Sequence, residues 1–517
     1  MPALTELRLP SRPVKRWYSF LFVVVVVVLA WQYDYPHVQT FGPASLHSWR
    51  QADGAAMTLR YHLDPDAAFF HPRTFFLANG NDGEAVAEFP LLYYLGGKLY
   101  DLFGPRDALL RWLHFLVFIS GLYAFGRVLL GVLDQVFYAL LAPLLLFTSP
   151  LLAFYGFAFL PNPVAVGLVG WAWWAYYRWF RTRRVGWVYG SALCFTLAGL
   201  IKVTLLVPFF AGVGVWLLHF LRTDLRAYFP KPKHVLAATA LVVLSCAAWF
   251  SWVQFYNELH RSPLFLANIA PVWKMSAADI DYTWNYIYDY NHKRYWLVWT
   301  QRLFLVLLVV NLVFSKQLPR WFNALLWLTF LGSLAYVLLF FRQFLVHSYY
   351  LIDLAPLVLL TLGGAAYLLT HYAPRVANFP LLLVGWLVFF NWNMVWAKKH
   401  LLYQYSPAGE VQYSNQSLFK TEQLRAYVAD LGLDYTSARV VALHDQAPNY
   451  VPYYLGLRGY VPTFFPEVKP HHLEHWREAG ATHLVVAKPE YLEREDLQPF
   501  FRDTLGVFDE SIYFFRL

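Results

Sequence analysis

The sequence predicts a polytopic, all-α membrane protein that carries a small C-terminal α/β domain. Three observations lead there. Of the 517 residues, 58% are hydrophobic and only 14% are charged, the balance of a chain dissolved in lipid rather than water. Apolar runs of roughly 17 to 25 residues, the length needed to cross a bilayer, recur along the first three quarters of the chain. Beyond Trp396 the pattern changes to short apolar stretches alternating with charged, amphipathic ones. The net charge of +9 does not point to nucleic acid, because the basic residues sit in short loops between apolar runs, where they orient spans. Cys194 and Cys246 both lie inside apolar runs and imply no disulfide framework. No Walker loop or GxGxxG signature occurs, so a cytosolic nucleotide is not the source of energy.

In chain order, a basic segment from Met1 to Arg16 precedes the apolar run Trp17 to Trp31, and no small-residue cleavage site follows Ala30. This is an uncleaved first span rather than a removed signal. The same length criterion gives about 11 spans in all, centred on Val25, Val117, Leu144, Gly170, Thr196, Gly212, Leu244, Leu307, Phe330, Leu360 and Leu387. With the N-terminus in the cytoplasm, the basic loops Arg181 to Arg184, Arg222 to Lys233, Lys316 to Arg320 and His371 to Arg375 fall on the cytoplasmic side. The same threading exports the first loop (residues 32–106), Lys202, Tyr256 to Tyr295, Arg342 to Tyr349 and everything after Trp396. The division is thus a membrane domain at 1–396 and an extracytoplasmic α/β domain at 397–517. In the latter, Val440 to Leu443, His483 to Ala487 and Ile512 to Phe515 predict strands, and Thr421 to Leu431 and His471 to Ala479 predict helices.

The first outer loop holds the densest chemistry. Ser48-Trp49-Arg50-Gln51 fits an S-x-x-Q capping box, so a helix begins there and stops by Asp64-Pro65. On it Arg50, Asp53, Met57 and Arg60 share a stripe, a carboxylate between two cations. Asp53 is then either a proton acceptor beside an anionic group or a partner for Arg50 and the helix N-terminus. A second helix after Phe89-Pro90 carries Leu91, Leu92, Leu95, Leu99 and Leu102 on one face and lies along the interface, with Glu88 at its entrance. Lys202 interrupts an apolar run without an acidic neighbour in sequence, and either snorkels to headgroups or contacts a lipid phosphate. Arg342 and His347 invite the same two readings. Tyr256 to Tyr295 mixes tyrosine, tryptophan, histidine and aspartate, which suits interface anchoring better than closure over a substrate. No metal-ligand spacing appears in it, and no metal is assigned.

His47-Ser48-Trp49-Arg50-Gln51-Ala52-Asp53, His71-Pro72, Glu88-Phe89-Pro90-Leu91 and Leu102-Phe103-Gly104, supported by His347-Ser348-Tyr349-Tyr350, resemble the first exported loop of bacterial GT-C membrane glycosyltransferases. These form the broad group of protein O-mannosyltransferases and lipid A aminoarabinose transferases. The resemblance is strongest over residues 15–130. It implies a GT-C fold and an inverting transfer of sugar from a polyprenyl-phosphate carrier to a glycan, lipid or protein acceptor outside the cytoplasm, in a bacterial inner membrane. Where those enzymes place an Asp-Glu pair this chain has Arg50-Gln51, so the base falls to Asp53, with Glu88 the alternative. Arg50, Arg60, Lys202 and Arg342 would stabilise the departing phosphate, and His47, Trp49, Gln51, His347 and Tyr349 complete the substrate-binding set. No cofactor is assigned, with a divalent cation left open. A lipid-linked sugar flippase and a surface-glycan polymerase or ligase are the competing readings. A flippase predicts ionisable groups at mid-membrane and internal repetition.

Overall fold

The structure is a computed structural model that describes residues 12–78, 80–221, 231–265, 269, 271–406, 409, 415–444, 447–465 and 467–517. Each of the eleven apolar centres lies in its own helix: Arg12–Gln32, Asp107–Leu133, Val136–Phe147, Asn162–Thr182, Gly186–Ile201, Val207–Leu221, Pro232–Leu259, Val298–Val313, Arg320–Leu339, Ala355–Tyr372 and Pro380–Gln404. Among the described residues, six helices are long and apolar enough to cross a bilayer, or seven if the bent pair Ala277–Tyr295 and Val298–Val313 counts as one span. The predicted number of eleven spans is therefore not confirmed by the crossing criterion. The chain is an integral membrane protein. Of the basic loop at Arg222 to Lys233, residues 222–230 lie outside the described residues.

Helix boundaries follow local chemistry. Pro163, Pro232, Pro356 and Pro380 each stand in a first turn, where a missing N–H costs no helical hydrogen bond. Asp107–Leu133 packs along Asn162–Thr182, and the latter along Gly186–Ile201. Buried polar side chains bind helices to one another: Thr300 donates to Asn393 at 2.6 Å, and Asn311 donates to the Thr361 carbonyl at 2.9 Å. In a medium without water such groups must find partners inside the protein.

Helices Ser48–Leu63 and Leu91–Phe103 lie in the first loop, where the sequence predicts them. The leucine stripe of the second is split between the buried face and the surface. Leu95, Leu102 and Phe103 are exposed, while Leu92, Tyr93, Gly96, Gly97 and Tyr100 form the buried face. Gly97 explains the choice of face, since a Cβ there would stand 2.6 Å from the Tyr61 Cβ. Only glycine permits that helix approach.

The C-terminal segment forms a five-stranded sheet of β1 (Arg439–Leu443), β2 (Arg458–Tyr460), β3 (His483–Val486), β4 (Thr504–Phe508) and β5 (Ile512–Arg516) in the order β2-β1-β3-β5-β4. β1 pairs in parallel with β2 and β3, whereas β5 runs antiparallel to β3 and β4. Strands β2 and β4 escape sequence prediction because neither is a sustained apolar run. The alternation of β1 buries both faces of the sheet. Val441 and Leu443 pack with Leu473 and Trp476 of helix Pro470–Glu478. Val440 and Ala442 pack with Leu424 and Val428 of helix Thr421–Asp430, and this second core continues into Ala52, Ala55, Ala56, Leu59 and Phe75 of the first loop. First loop and sheet therefore share one apolar core. Residues 75–77 also run alongside β2, with Gly459 N–H donating to Phe75 O at 2.9 Å and Leu77 N–H to Gly459 O at 2.8 Å.

Candidate active site

The start of helix Ser48–Leu63 differs from the predicted capping box. The Ser48 N–H is already taken by the Ser45 carbonyl at 3.1 Å, and His47 enters the helix in a left-handed conformation, φ 51°. Gln51 is therefore free to turn inward, and its amide donates to the Ala44 and Leu46 carbonyls at 3.0 and 2.8 Å. That corrects its sequence-based role. Fully buried, Gln51 shapes the 44–46 turn and ties it to the first turn of the helix, which carries Arg50 and Asp53.

Arg50 holds two carboxylates. One guanidinium nitrogen lies 2.5 Å from both oxygens of Glu88, and another lies 3.6 Å from Asp53 Oδ2. Glu88 also accepts from the Tyr93 hydroxyl. It is not the cap of Leu91–Phe103, which begins at Pro90 without a side-chain cap. Asp53 has a second partner, the Asn449 amide, which donates to its Oδ1 at 2.8 Å. The two carboxyls are thereby driven apart. Burial pushes Asp53 up to about 6, against the pull of Arg50 and Asn449. Burial acts on Glu88 as well, but Arg50 and the Tyr93 and Arg50 hydrogen bonds outweigh it and hold that carboxyl below its usual range. One carboxylate is thus poised to exchange a proton near neutrality and the other stays charged. Gly54 belongs to this arrangement, because a Cβ there would meet the Tyr93 ring at 2.9 Å.

A second group of residues faces the first. His47 Nε2 lies 3.2 Å from the Ser348 hydroxyl, and its ring lies 5.1 Å from Tyr349 and 5.9 Å from His347. Lys202 stands 3.8 Å from Asp353 and 4.2 Å from the Tyr350 ring centroid. Burial, then Lys202 and Arg50, press the His347 imidazole down to about 4. Burial, then His347 and Arg294, press His47 down to about 3. Both imidazoles are neutral at physiological pH, and cations from three parts of the chain surround them. His347 Nδ1 is buried without a hydrogen-bond partner among the described residues. An anionic group entering here would meet fixed positive charge in a site of low dielectric.

Of the predicted residues, His47, Arg50, Asp53, Glu88, Lys202, His347 and Tyr349 are brought together. Trp49 is exposed on the first turn of its helix. Arg342 is exposed as well, and no described contact joins it to the cluster. Arg60 requires correction. It shares a stripe with Asp53, yet two turns place it about 10 Å along the axis. There it is 1% exposed, and its nitrogens are spent on Asp64 at 3.0 Å, Asp82 at 3.1 Å and the Thr74 carbonyl at 3.1 Å. Of the two readings of Lys202, snorkelling does not hold, because the side chain turns inward to an ion pair. Three residues escaped the sequence: Tyr93, Asn449 and Asp353. Asp353 accepts from Thr204, Asn162 and Tyr336 at 2.5, 3.2 and 3.2 Å. A lone carboxylate beside an apolar run was its available signal, since charges at membrane depth pair with one another. Among the described residues no group of three or more His, Cys, Asp or Glu is placed to hold a metal ion.

No protein-family model matches the chain, and no curated protein matches it in sequence. Solved structures do match. The crystal structure of ArnT from Cupriavidus metallidurans bound to undecaprenyl phosphate superimposes with a TM-score of 0.57 at 13% identity, over 96% of this chain and 98% of that one. The arabinofuranosyltransferase AftD from Mycobacteria gives 0.52 at 14% identity over 99% of this chain, which spans 40% of AftD. The archaeal oligosaccharyltransferase AglB from Archaeoglobus fulgidus, in complex with an inhibitory peptide and a dolichol-phosphate, gives 0.50 at 10% identity over 93% of this chain and 70% of that one. At such identities the likeness establishes the fold, and the chain has the GT-C fold of these membrane glycosyltransferases, the fold that its loop motifs imply.

Proposed function

We propose that this protein transfers a sugar from a polyprenyl-phosphate carrier to an acceptor hydroxyl at the extracytoplasmic face of a bacterial inner membrane, with inversion and with Asp53 as general base. The observation that carries this reading is the split pair of carboxylates on Arg50: Asp53, buried and titrating near neutrality, beside a permanently charged Glu88. A base works best when its pKa lies near the operating pH. In the reaction, the acceptor proton passes to Asp53 and the acceptor oxygen bonds to the anomeric carbon. The bond from that carbon to the carrier phosphate breaks with its electron pair on the phosphate. Arg50 and Lys202, which both bear on His347, stabilise the charge that develops there. Glu88 and Tyr93 keep Arg50 in place.

A polyprenyl carrier is supported by the undecaprenyl phosphate of the ArnT structure and the dolichol-phosphate of the AglB structure. The extracytoplasmic placement of the loop and of residues 397–517 rests on the distribution of basic loops. The test is lipid mass spectrometry of cells with and without the protein. Loss of the protein accumulates a polyprenyl-phosphate sugar, which wild type clears and Asp53→Asn does not. An unchanged lipid profile refutes the reading. Accumulation confined to the cytoplasmic leaflet would instead support the flippase.

A further inference from the structure

Asn449 joins two parts of the chain that are 396 residues apart in sequence. It stands immediately before helix Tyr450–Leu455 in the sheet domain and is fully buried. Its Oδ1 accepts two backbone N–H groups of the first loop, from Phe75 and Phe76, each at 3.0 Å. Its Nδ2 donates to Asp53 Oδ1 at 2.8 Å. The orientation of this amide is dictated by its partners. Turned over, it would set an NH2 against two N–H donors and an oxygen against a carboxylate, so three contacts would become repulsive. The two N–H groups are themselves fixed, because the flanking Phe75 carbonyl and Leu77 N–H pair with Gly459 of β2.

We propose that Asn449 is a positioning residue for the base: the sheet domain inserts one amide beneath helix Ser48–Leu63 and fixes which oxygen of Asp53 is offered to the acceptor. The inference rests on the reading of Asp53 as the base. With Oδ1 held by Asn449, Oδ2 is the oxygen on the Arg50 side, 3.6 Å from the guanidinium, and it is the oxygen that takes the proton. Rotation of the carboxylate would break the bond to Asn449. The amide also donates to the charged form and opposes the burial that favours protonation. The C-terminal domain is on this view a component of the catalytic site rather than an appendage. Its other ties to the loop keep the amide in register. Arg458 reaches Asp82 at 2.7 Å, and Tyr454 reaches the Pro43 carbonyl at 2.8 Å.

The test uses the full-length detergent-solubilised protein, with the polyprenyl-phosphate sugar fraction from cells lacking the protein as donor, and follows the rate against pH. Asn449→Asp retains acceptors for Phe75 and Phe76 but replaces the donor to Asp53 by a second acid. The acid limb of kcat should rise by about one pH unit, a tenfold loss below the limb, with partial recovery at high pH and an unchanged donor KM. Asn449→Ser, which cannot overpack the site, should move the limb in the same direction and keeps the test open if the first variant does not fold. A fall in kcat with an unmoved acid limb, or an unmoved kcat and limb, in folded protein overturns the positioning role. Asp53→Asn is assayed alongside. If it turns over at the wild-type rate, the base reading itself fails. If it is inactive while the Asn449 variants keep the wild-type profile, only the positioning role fails.

Discussion

Asp53→Asn should abolish transfer and at the same time make the protein more stable at neutral pH. The two effects have one cause. The carboxyl titrates at about 6 in the folded protein against an ordinary aspartate value of 3.8. The two values lie about two pH units apart, which corresponds to about 3 kcal/mol. The sign follows from proton binding. Between these pH values the folded state holds the proton that the unfolded state has released, so stability falls as pH rises from about 4 to about 6. At pH 7 the whole cost of the buried charge is present. Asparagine keeps the size, can still accept from Asn449, and carries no charge. Arg50 retains Glu88 at 2.5 Å, so the substitution does not strand a cation.

Turnover should drop by about 10²- to 10⁴-fold, the usual cost of losing a general base. The thermal midpoint at pH 7 should rise, by an amount corresponding to at most about 3 kcal/mol, and the gain should vanish near pH 4, where wild-type Asp53 is protonated. Wild type should lose rate below pH 6, about tenfold per pH unit at the limit. The assays are consumption of the accumulated donor lipid and thermal unfolding of the detergent-solubilised protein, each across pH 4 to 8. Wild-type turnover by Asp53→Asn refutes the base. A lower midpoint at pH 7 shows that Arg50 and Asn449 offset the cost of burying the Asp53 charge, and it removes the physical reason for a base poised near neutrality.

Arg50→Met leaves Asp53 and Glu88 buried without their shared cation and should cost about 3 to 5 kcal/mol. Adding Glu88→Gln should restore much of that stability but none of the activity, which unfolding and turnover of the pair will check. Lys202→Met should weaken donor binding by about 1.5 to 3 kcal/mol if the ammonium meets the carrier phosphate. Because it also strands Asp353, the decisive comparison is Lys202→Met with Asp353→Asn, which should regain the fold without regaining affinity for undecaprenyl phosphate; full affinity in that double variant confines Lys202 to a structural ion pair. For topology, in a background with Cys194 and Cys246 replaced by serine, a membrane-impermeant maleimide should label exposed Glu490→Cys in intact cells and exposed Arg183→Cys only after lysis. Protection of Glu490→Cys in intact cells would place the sheet domain, and the reaction, on the cytoplasmic side.

What was legible in the sequence is what depends on solvent. An apolar run of span length reports the medium it tolerates, and each of the eleven centres accordingly lies in a helix. The strands β1, β3 and β5 were legible for the same reason, as short buried runs. Partners were not legible in the same way. The stripe rule aligned Arg60 with Asp53 but carries no axial distance, and Arg60 ended in a separate ion-pair network with Asp64 and Asp82. The capping box matched in sequence, yet the Ser45 carbonyl had already claimed the Ser48 N–H. Lys202 looked unpaired because its partner Asp353 lies 151 positions away, in the run that begins at Ser348.

The proposed base is the sharpest case. Asp53 beside Arg50 on an exposed helix would be an ordinary ion pair with a low pKa, and every local feature of the loop is compatible with that. Burial reverses the outcome, and part of that burial comes from the sheet domain, whose Tyr450, Val451 and Tyr454 share a core with Ala52, Ala55 and Ala56. A carboxylate's chemistry is set by what excludes water from it, and here the excluding residues lie some 400 positions downstream. No reading confined to the loop can separate Asp53 from Glu88. The distinction arises when the C-terminal domain closes over one carboxyl and Arg50 with Tyr93 claims the other.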